Sequence, residues 1–136
     1  MAATMKILVV SPDKRREFSG ATGASFEAEC GSMGVLPHHA DILGALKAGC
    51  LTIHFDERDD EIFAHCEGFF EVHSGELLLL VDAIESKGEI DVARAEAALK
   101  RAEERLKLRE DVDFDRARIA LFRAINRLRV SGHTRL

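Results

Sequence analysis

Hydrophobic and polar positions follow one rhythm over the first two thirds of the chain and another over the last third. Met5 to Val10 is an apolar run closed by Ser11-Pro12-Asp13, three residues that favour a turn. Ser25 to Cys30 alternates, with Phe26, Ala28 and Cys30 on one face and Glu27 and Glu29 on the other. Leu51-Thr52-Ile53-His54-Phe55 alternates as well, and the acidic stretch Asp56 to Glu61 makes a tip before Ile62-Phe63-Ala64-His65. Gly68 precedes Phe69-Phe70-Glu71-Val72, and Ser74-Gly75 turns the chain into Glu76-Leu77-Leu78-Leu79-Leu80-Val81. Short strands at this spacing predict an antiparallel β-sandwich or barrel. The run Leu77 to Leu80 is expected to be a buried strand.

Beyond Gly88 the period becomes helical. Val92, Ala95, Leu99, Ala102 and Leu106 are spaced 3, 4, 3 and 4 apart, one stripe of an amphipathic helix. Phe114, Ala117, Leu121, Ala124 and Leu128 repeat that spacing. Asp91 and Asp113 stand where N-caps belong, because a carboxylate there accepts from the free amides of the first turn. A break at Leu108-Arg109-Glu110-Asp111-Val112 separates the two helices. Two facing stripes and a short connection predict an antiparallel hairpin. The fold class is an all-β sandwich followed by an α-helical hairpin, with domains at 1–88 and 89–136.

Charge divides the chain at the same place. Residues 1–88 carry 7 Lys and Arg against 15 Asp and Glu, whereas residues 89–136 carry 12 against 9. The whole chain of 136 residues has a net charge of -5, the wrong sign for a nonspecific nucleic-acid binder. Its longest apolar run, Leu77 to Val81, is far short of the ~20 residues of a membrane span. No secretory signal is read at the amino end, where Lys6, Asp13, Lys14, Arg15 and Arg16 interrupt the apolar stretch. Cys30, Cys50 and Cys66 contain no C-x-x-C pair and are read as reduced thiols of a cytosolic compartment. The chain contains no P-loop sequence. His54, His65 and Cys66 lie among strand residues and His38-His39 is an adjacent pair, so neither a zinc site nor a Cys-His nucleophile is expected. No catalysis is predicted.

The segment Gly31-Ser32-Met33-Gly34-Val35-Leu36-Pro37-His38-His39-Ala40-Asp41-Ile42-Leu43-Gly44-Ala45-Leu46-Lys47-Ala48-Gly49 is too long and irregular for a simple hairpin. It resembles the GxxGVLPGHAPLLxALKPG stretch of the epsilon subunit of bacterial F-type ATP synthases. The resemblance continues in order through Glu67-Gly68-Phe69-Phe70-Glu71-Val72, Val81-Asp82, Ile90-Asp91-Val92-Ala93-Arg94-Ala95-Glu96-Ala97-Ala98, Asp113-Phe114 and Ala124-Ile125-Asn126-Arg127-Leu128, essentially the whole chain. Here His38 replaces a usual glycine and Asp41 a usual proline, while Ser32 takes the place of an acidic or polar residue.

The resemblance implies a non-catalytic subunit of the central stalk, peripheral to the cytoplasmic face of the bacterial plasma membrane. The sandwich would bind the gamma subunit and the ring of c subunits, with Ser32, Val35 and His39 on the loop that faces the rotor base. The hairpin would fold down or extend to the catalytic alpha and beta subunits, blocking ATP hydrolysis when extended. A hairpin of this length spans on the order of 60 Å when opened, at 1.5 Å per helical residue. The alternative from the pattern alone is a sandwich-and-hairpin adaptor that binds a protein and no nucleotide.

No cofactor is required, but ATP is implied as a regulatory ligand. Ile90-Asp91-Val92-Ala93-Arg94-Ala95 matches the I/L-D-x-x-R-A motif with which some members bind ATP, and Glu85, Arg101, Arg123 and Arg127 correspond to other residues of that site. Arg94 and Arg101 are two turns apart on one helix, and Arg123 and Arg127 one turn apart on the other. Four guanidiniums brought together repel one another unless an anion joins them, and a triphosphate accepts charge-assisted bidentate bonds. The Asp91 carboxylate suits either the helix amides or the adenine amino group. The bland alternative leaves the arginines as surface charges paired with Glu96, Glu103, Glu104 or solvent.

Overall fold

The computed structural model describes residues 3–108 and 113–132. The chain divides into two compact units, Met1–Ser86 and Lys87–Leu136. Ten strands make up the first: β1 (Met5–Val10), β2 (Arg15–Ala21), β3 (Gly23–Ala28), β4 (Gly31–Val35), β5 (Ile42–Leu46), β6 (Gly49–His54), β7 (Glu61–His65), β8 (Gly68–His73), β9 (Glu76–Val81) and β10 (Ile84–Ser86). The second holds a 3-10 turn at Lys87–Glu89, then α1 (Val92–Lys107) and α2 (Phe114–Ser131).

The strands form one sheet in the order β10-β7-β6-β3-β5-β8-β9-β1-β2, with β4 also paired to β3. Neighbours are antiparallel except β1 and β9, which run parallel from Ile7 opposite Leu77 to Val10 opposite Leu80. Although β2 and β7 lie near opposite ends of this order, the Phe18 and Phe63 rings meet edge to face at 5.7 Å. The Arg16 guanidinium also covers Phe63, 5.3 Å from its centroid. The sheet therefore curls upon itself into a sandwich.

Alternation places the core. Met5, Ile7 and Val9 of β1 turn inward with Leu51 and Ile53 of β6, Phe63 of β7, Phe70 and Val72 of β8, and Leu77 and Leu79 of β9. Each such side chain withdrawn from water contributes ~1.5–3 kcal/mol before the cost of ordering it. Gly68 is dictated by the close approach of β9. A Cβ there would lie 2.9 Å from the carbonyl carbon of Leu80 and the Cα of Val81 and would overlap the Leu80 oxygen.

The Leu77 to Leu80 run is not uniformly buried as expected. Leu77 and Leu79 are inside, Leu78 is half-buried, and Leu80 is 46% exposed, because period two sends alternate leucines to opposite faces. The irregular 31–49 segment holds β4 and β5, joined across Leu36 to Asp41. Along that joint His38 adopts φ 67. Glycine enters this left-handed region without steric cost, which accounts for the usual glycine at the position.

In the helical unit Asp91 Oδ1 accepts from the Arg94 amide at 3.0 Å, and Asp113 Oδ1 from the Arg116 amide at 3.1 Å. Both act as N-caps. α2 stops at Gly132, whose φ of 89 lets its amide return to the Arg129 carbonyl at 3.1 Å. Ala95 and Leu99 of α1 pack on Ala124 and Leu128 of α2, flanked by Val92, Ala98, Leu121 and Ile125. The two stripes therefore face each other as an antiparallel pair. Of the expected break between the helices, Leu108 is extended and residues 109–112 lie outside the described residues.

Candidate functional site

The four arginines singled out by sequence share one relation to the packed stripe. Arg94 immediately precedes Ala95, Arg101 precedes Ala102, Arg123 precedes Ala124 and Arg127 precedes Leu128, and each of those successors is buried. One residue is a rotation of about 100° on an α-helix. All four therefore sit ~100° behind the interface on their own helix. Antiparallel helices of the same hand carry equal offsets on the same side of the pair. Arg94 and Arg101 from α1 thus share one flank of the hairpin with Arg123 and Arg127 from α2.

Their surroundings differ. Arg94 and Arg101 are exposed, while Arg123 and Arg127 are half-buried. Ile90 is 8% exposed and anchors the entry to α1. Ala95 is buried against Leu99, Ala124 and Leu128, where its small side chain lets the backbones approach. Asp91 uses Oδ1 for the helix cap. A carboxylate has further acceptor capacity beyond one such bond. Together with the amides of the first helical turn, this gives the start of α1 both an acceptor and a positive dipole end. Glu85 belongs to the sandwich unit, where it is half-buried in β10 opposite Ala64 of β7.

The three residues expected on the partner-facing loop fare differently. Ser32 is exposed and donates to Glu27 Oε1 at 2.7 Å. His39 is half-buried and shapes the turn itself: its amide donates to the Leu36 carbonyl at 3.1 Å and its Nδ1 lies 2.7 Å from the Ala40 carbonyl oxygen. Val35 must be corrected. It is 0% exposed within the sandwich core, so its side chain is structural and presents nothing to a partner.

Sequence reading missed an apolar face on the outside of the sandwich. Register aligns Ala45 of β5, Phe69 of β8, Leu80 of β9 and Val10 of β1 in one row across four strands. Phe69 is 59% exposed, and Leu43, one row away on β5, is 71% exposed. An exposed apolar row of this kind is a candidate docking surface. The available signal was the four-leucine run, whose alternate members have to face outward.

Comparison with known proteins places both units. Residues 4–87 match the beta-sandwich domain of the ATP synthase delta/epsilon chain, and residues 89–132 match its long alpha-helix domain. The chain belongs to the ATP synthase delta/epsilon family. Among its relatives, the ATP synthase epsilon chain of Bacillus velezensis is 40% identical over 131 residues, covering 96% of this chain and 98% of that one. The epsilon chains of Desulforamulus reducens and Syntrophobacter fumaroxidans are 37% and 38% identical, and each alignment covers at least 96% of this chain and 99% of the relative. In fold, the chain is similar to one in the mitochondrial ATP synthase of Euglena gracilis, with a TM-score of 0.78 at 20% identity, over 88% of this chain and 76% of that one.

An epsilon chain is a non-catalytic subunit. Among the described residues no group of three or more His, Cys, Asp and Glu is arranged to hold a metal ion. No described helix is long and apolar enough to cross a membrane.

Proposed function

We propose that this chain is a regulatory rotor subunit of a proton-translocating F-type ATP synthase. The sandwich docks on the gamma subunit and the ring of c subunits through its apolar outer face, Ser32 of β4 and the loop carrying His39. Through these partners it resides at the cytoplasmic face of the bacterial plasma membrane. A chain of similar fold comes from the central stalk and c-ring of the Tetrahymena thermophila mitochondrial ATP synthase, which supports docking on these partners. The hairpin, when extended, contacts the catalytic alpha and beta subunits and blocks ATP hydrolysis; its excess of basic residues suits acidic surfaces.

ATP opposes that extension by binding the folded hairpin. The observation that carries this reading is the common flank of Arg94, Arg101, Arg123 and Arg127, each one residue before the packed stripe. Two helices contribute, so the cluster exists only while they are paired. A ligand that prefers one conformation shifts the equilibrium by its differential affinity, and ATP therefore favours the compact form.

Calorimetric titration with ATP at one salt concentration tests the site. Removing a charge-assisted contact costs about 1.5–3 kcal/mol, or one to two decades of affinity. Arg94→Ala is expected to weaken ATP binding at least tenfold with the sandwich intact. Equal affinities would leave the arginines as a solvated helix face and remove nucleotide sensing from the function.

A further inference from the structure

Glu27, Ser32 and His65 are neighbours within the sandwich unit. His65 is 0% exposed, and its Nδ1 lies 3.1 Å from the Cys66 carbonyl oxygen, which makes Nδ1–H the donor. It stands opposite Gly49 in the pairing of β6 with β7. A Cβ on Gly49 would come within 3.2 Å of His65 Nε2 and would overlap Cβ and Cγ of Glu27. The imidazole and the Glu27 side chain thus meet over a position on β6 that carries no side chain. Both side chains therefore lie around Gly49, and the Glu27 charge acts on the ring. The same carboxylate accepts from Ser32 Oγ at 2.7 Å. Ser32 is its direct partner in the pairing of β3 with β4. The Glu27 carboxylate thus holds an exposed hydroxyl while its stem lies beside a buried titratable ring.

The charged groups acting on the ring are Glu27 from β3 and Glu67 just beyond β7, and both favour the imidazolium. β6 and β10 oppose His65 with Gly49 and Ile84, which carry no charge. Burial outweighs the carboxylates and holds the imidazole below its ordinary value of 6.5. The ring is neutral at neutral pH and takes up its second proton in acid. Once formed, a buried imidazolium demands an anion, and a bond between opposite charges is stronger than one from a hydroxyl to a carboxylate.

We propose that Ser32, Glu27 and His65 form an acid-operated latch, in which protonation of His65 draws the Glu27 carboxylate from Ser32 to the imidazolium and loosens the β3–β4 turn. The proton comes from solvent and settles on Nε2, since Nδ1 already holds one. Ser32 keeps its hydroxyl proton and turns it to water.

An NMR titration of the full chain from pH 8 to pH 4 tests the latch by following the His65 ring nitrogens, the Glu27 carboxyl carbon and the Ser32 amide together. The Ser32 amide is expected to move with the His65 midpoint. Movement with the Glu27 carboxyl midpoint instead, or no movement, overturns the proposal. Glu27→Gln should abolish the Ser32 response and lower the His65 midpoint, because the ring loses a favourable charge. A surviving Ser32 response contradicts the latch. Ser32→Ala, an exposed substitution that spares the core, should raise the His65 midpoint by releasing Glu27 to the ring. An unchanged midpoint there overturns the proposal even where Glu27→Gln fails to fold.

Discussion

The sandwich and the hairpin bury their apolar residues on different scales. The sandwich core joins Met5 near the start of the chain to Ile84 near the end of the unit and includes Phe26, Phe63 and Phe70. Among the described residues, the hairpin's buried cluster is Ala95, Leu99, Ala124 and Leu128, two of them alanines. Alanine withdraws little area from water, and helices of this length are marginal without tertiary packing. The hairpin therefore relies on its Asp91 and Asp113 caps and on whatever stabilises the paired state. A region held this lightly is one that a ligand or partner can shift. The sandwich, closed on itself, supplies the fixed platform.

The sharpest way to break this contrast is to cut a side chain from each core. Phe63→Ala removes a fully buried ring from the sandwich and is expected to cost ~3–5 kcal/mol, enough to threaten the whole unit. Leu99→Ala should unpair the helices while the sandwich keeps its cooperative transition. Denaturant melts of both variants, with helix signal and sandwich chemical shifts recorded together, check this. Simultaneous loss of both units in Leu99→Ala would show that they are not separable.

His65 makes the sandwich sensitive to acid. His65 has its affinity for a proton lowered by burial from the ordinary 6.5, so above that pH both folded and unfolded chains carry it neutral. Below it the unfolded chain binds the proton first, and sandwich stability falls as pH drops toward the folded value. The slope from one such group is at most about 1.4 kcal/mol per pH unit. Equilibrium unfolding at pH 7.5 and pH 5.5 should show this loss in wild type and less of it in His65→Gln.

A smaller effect belongs to the first helix. Asp91→Ala removes the bond to the Arg94 amide and should cost ~1 kcal/mol, confined to the hairpin. Amide exchange in Val92 to Leu99 should accelerate about fivefold while strand amides stay unchanged.

Legibility in the sequence followed the same divide. Regular spacing made the helices and their caps readable, apolar runs made β1 and β9 readable, and alternation made β3 and β6 readable. β4 and β5 were hidden because Gly31, Gly34 and Gly44 interrupt their apolar pattern, and β2 because Arg15, Arg16 and Glu17 open it. The arginine set could be named from sequence, but its common flank required the observed stripe. Val35 misled because a loop motif says nothing about which of its side chains turn inward. The outer row of Phe69 and Leu80 depends on strand register, which only the folded sheet supplies.

The division of labour between the units is tested most directly with a chain ended after Gly88, added to the remaining ATP synthase subunits. The shortened chain should remain folded by circular dichroism, join the gamma subunit, and leave ATP hydrolysis at least as fast as the full chain does. A folded chain that fails to bind gamma, or hydrolysis that becomes slower without the hairpin, would contradict a docking sandwich and an inhibitory hairpin.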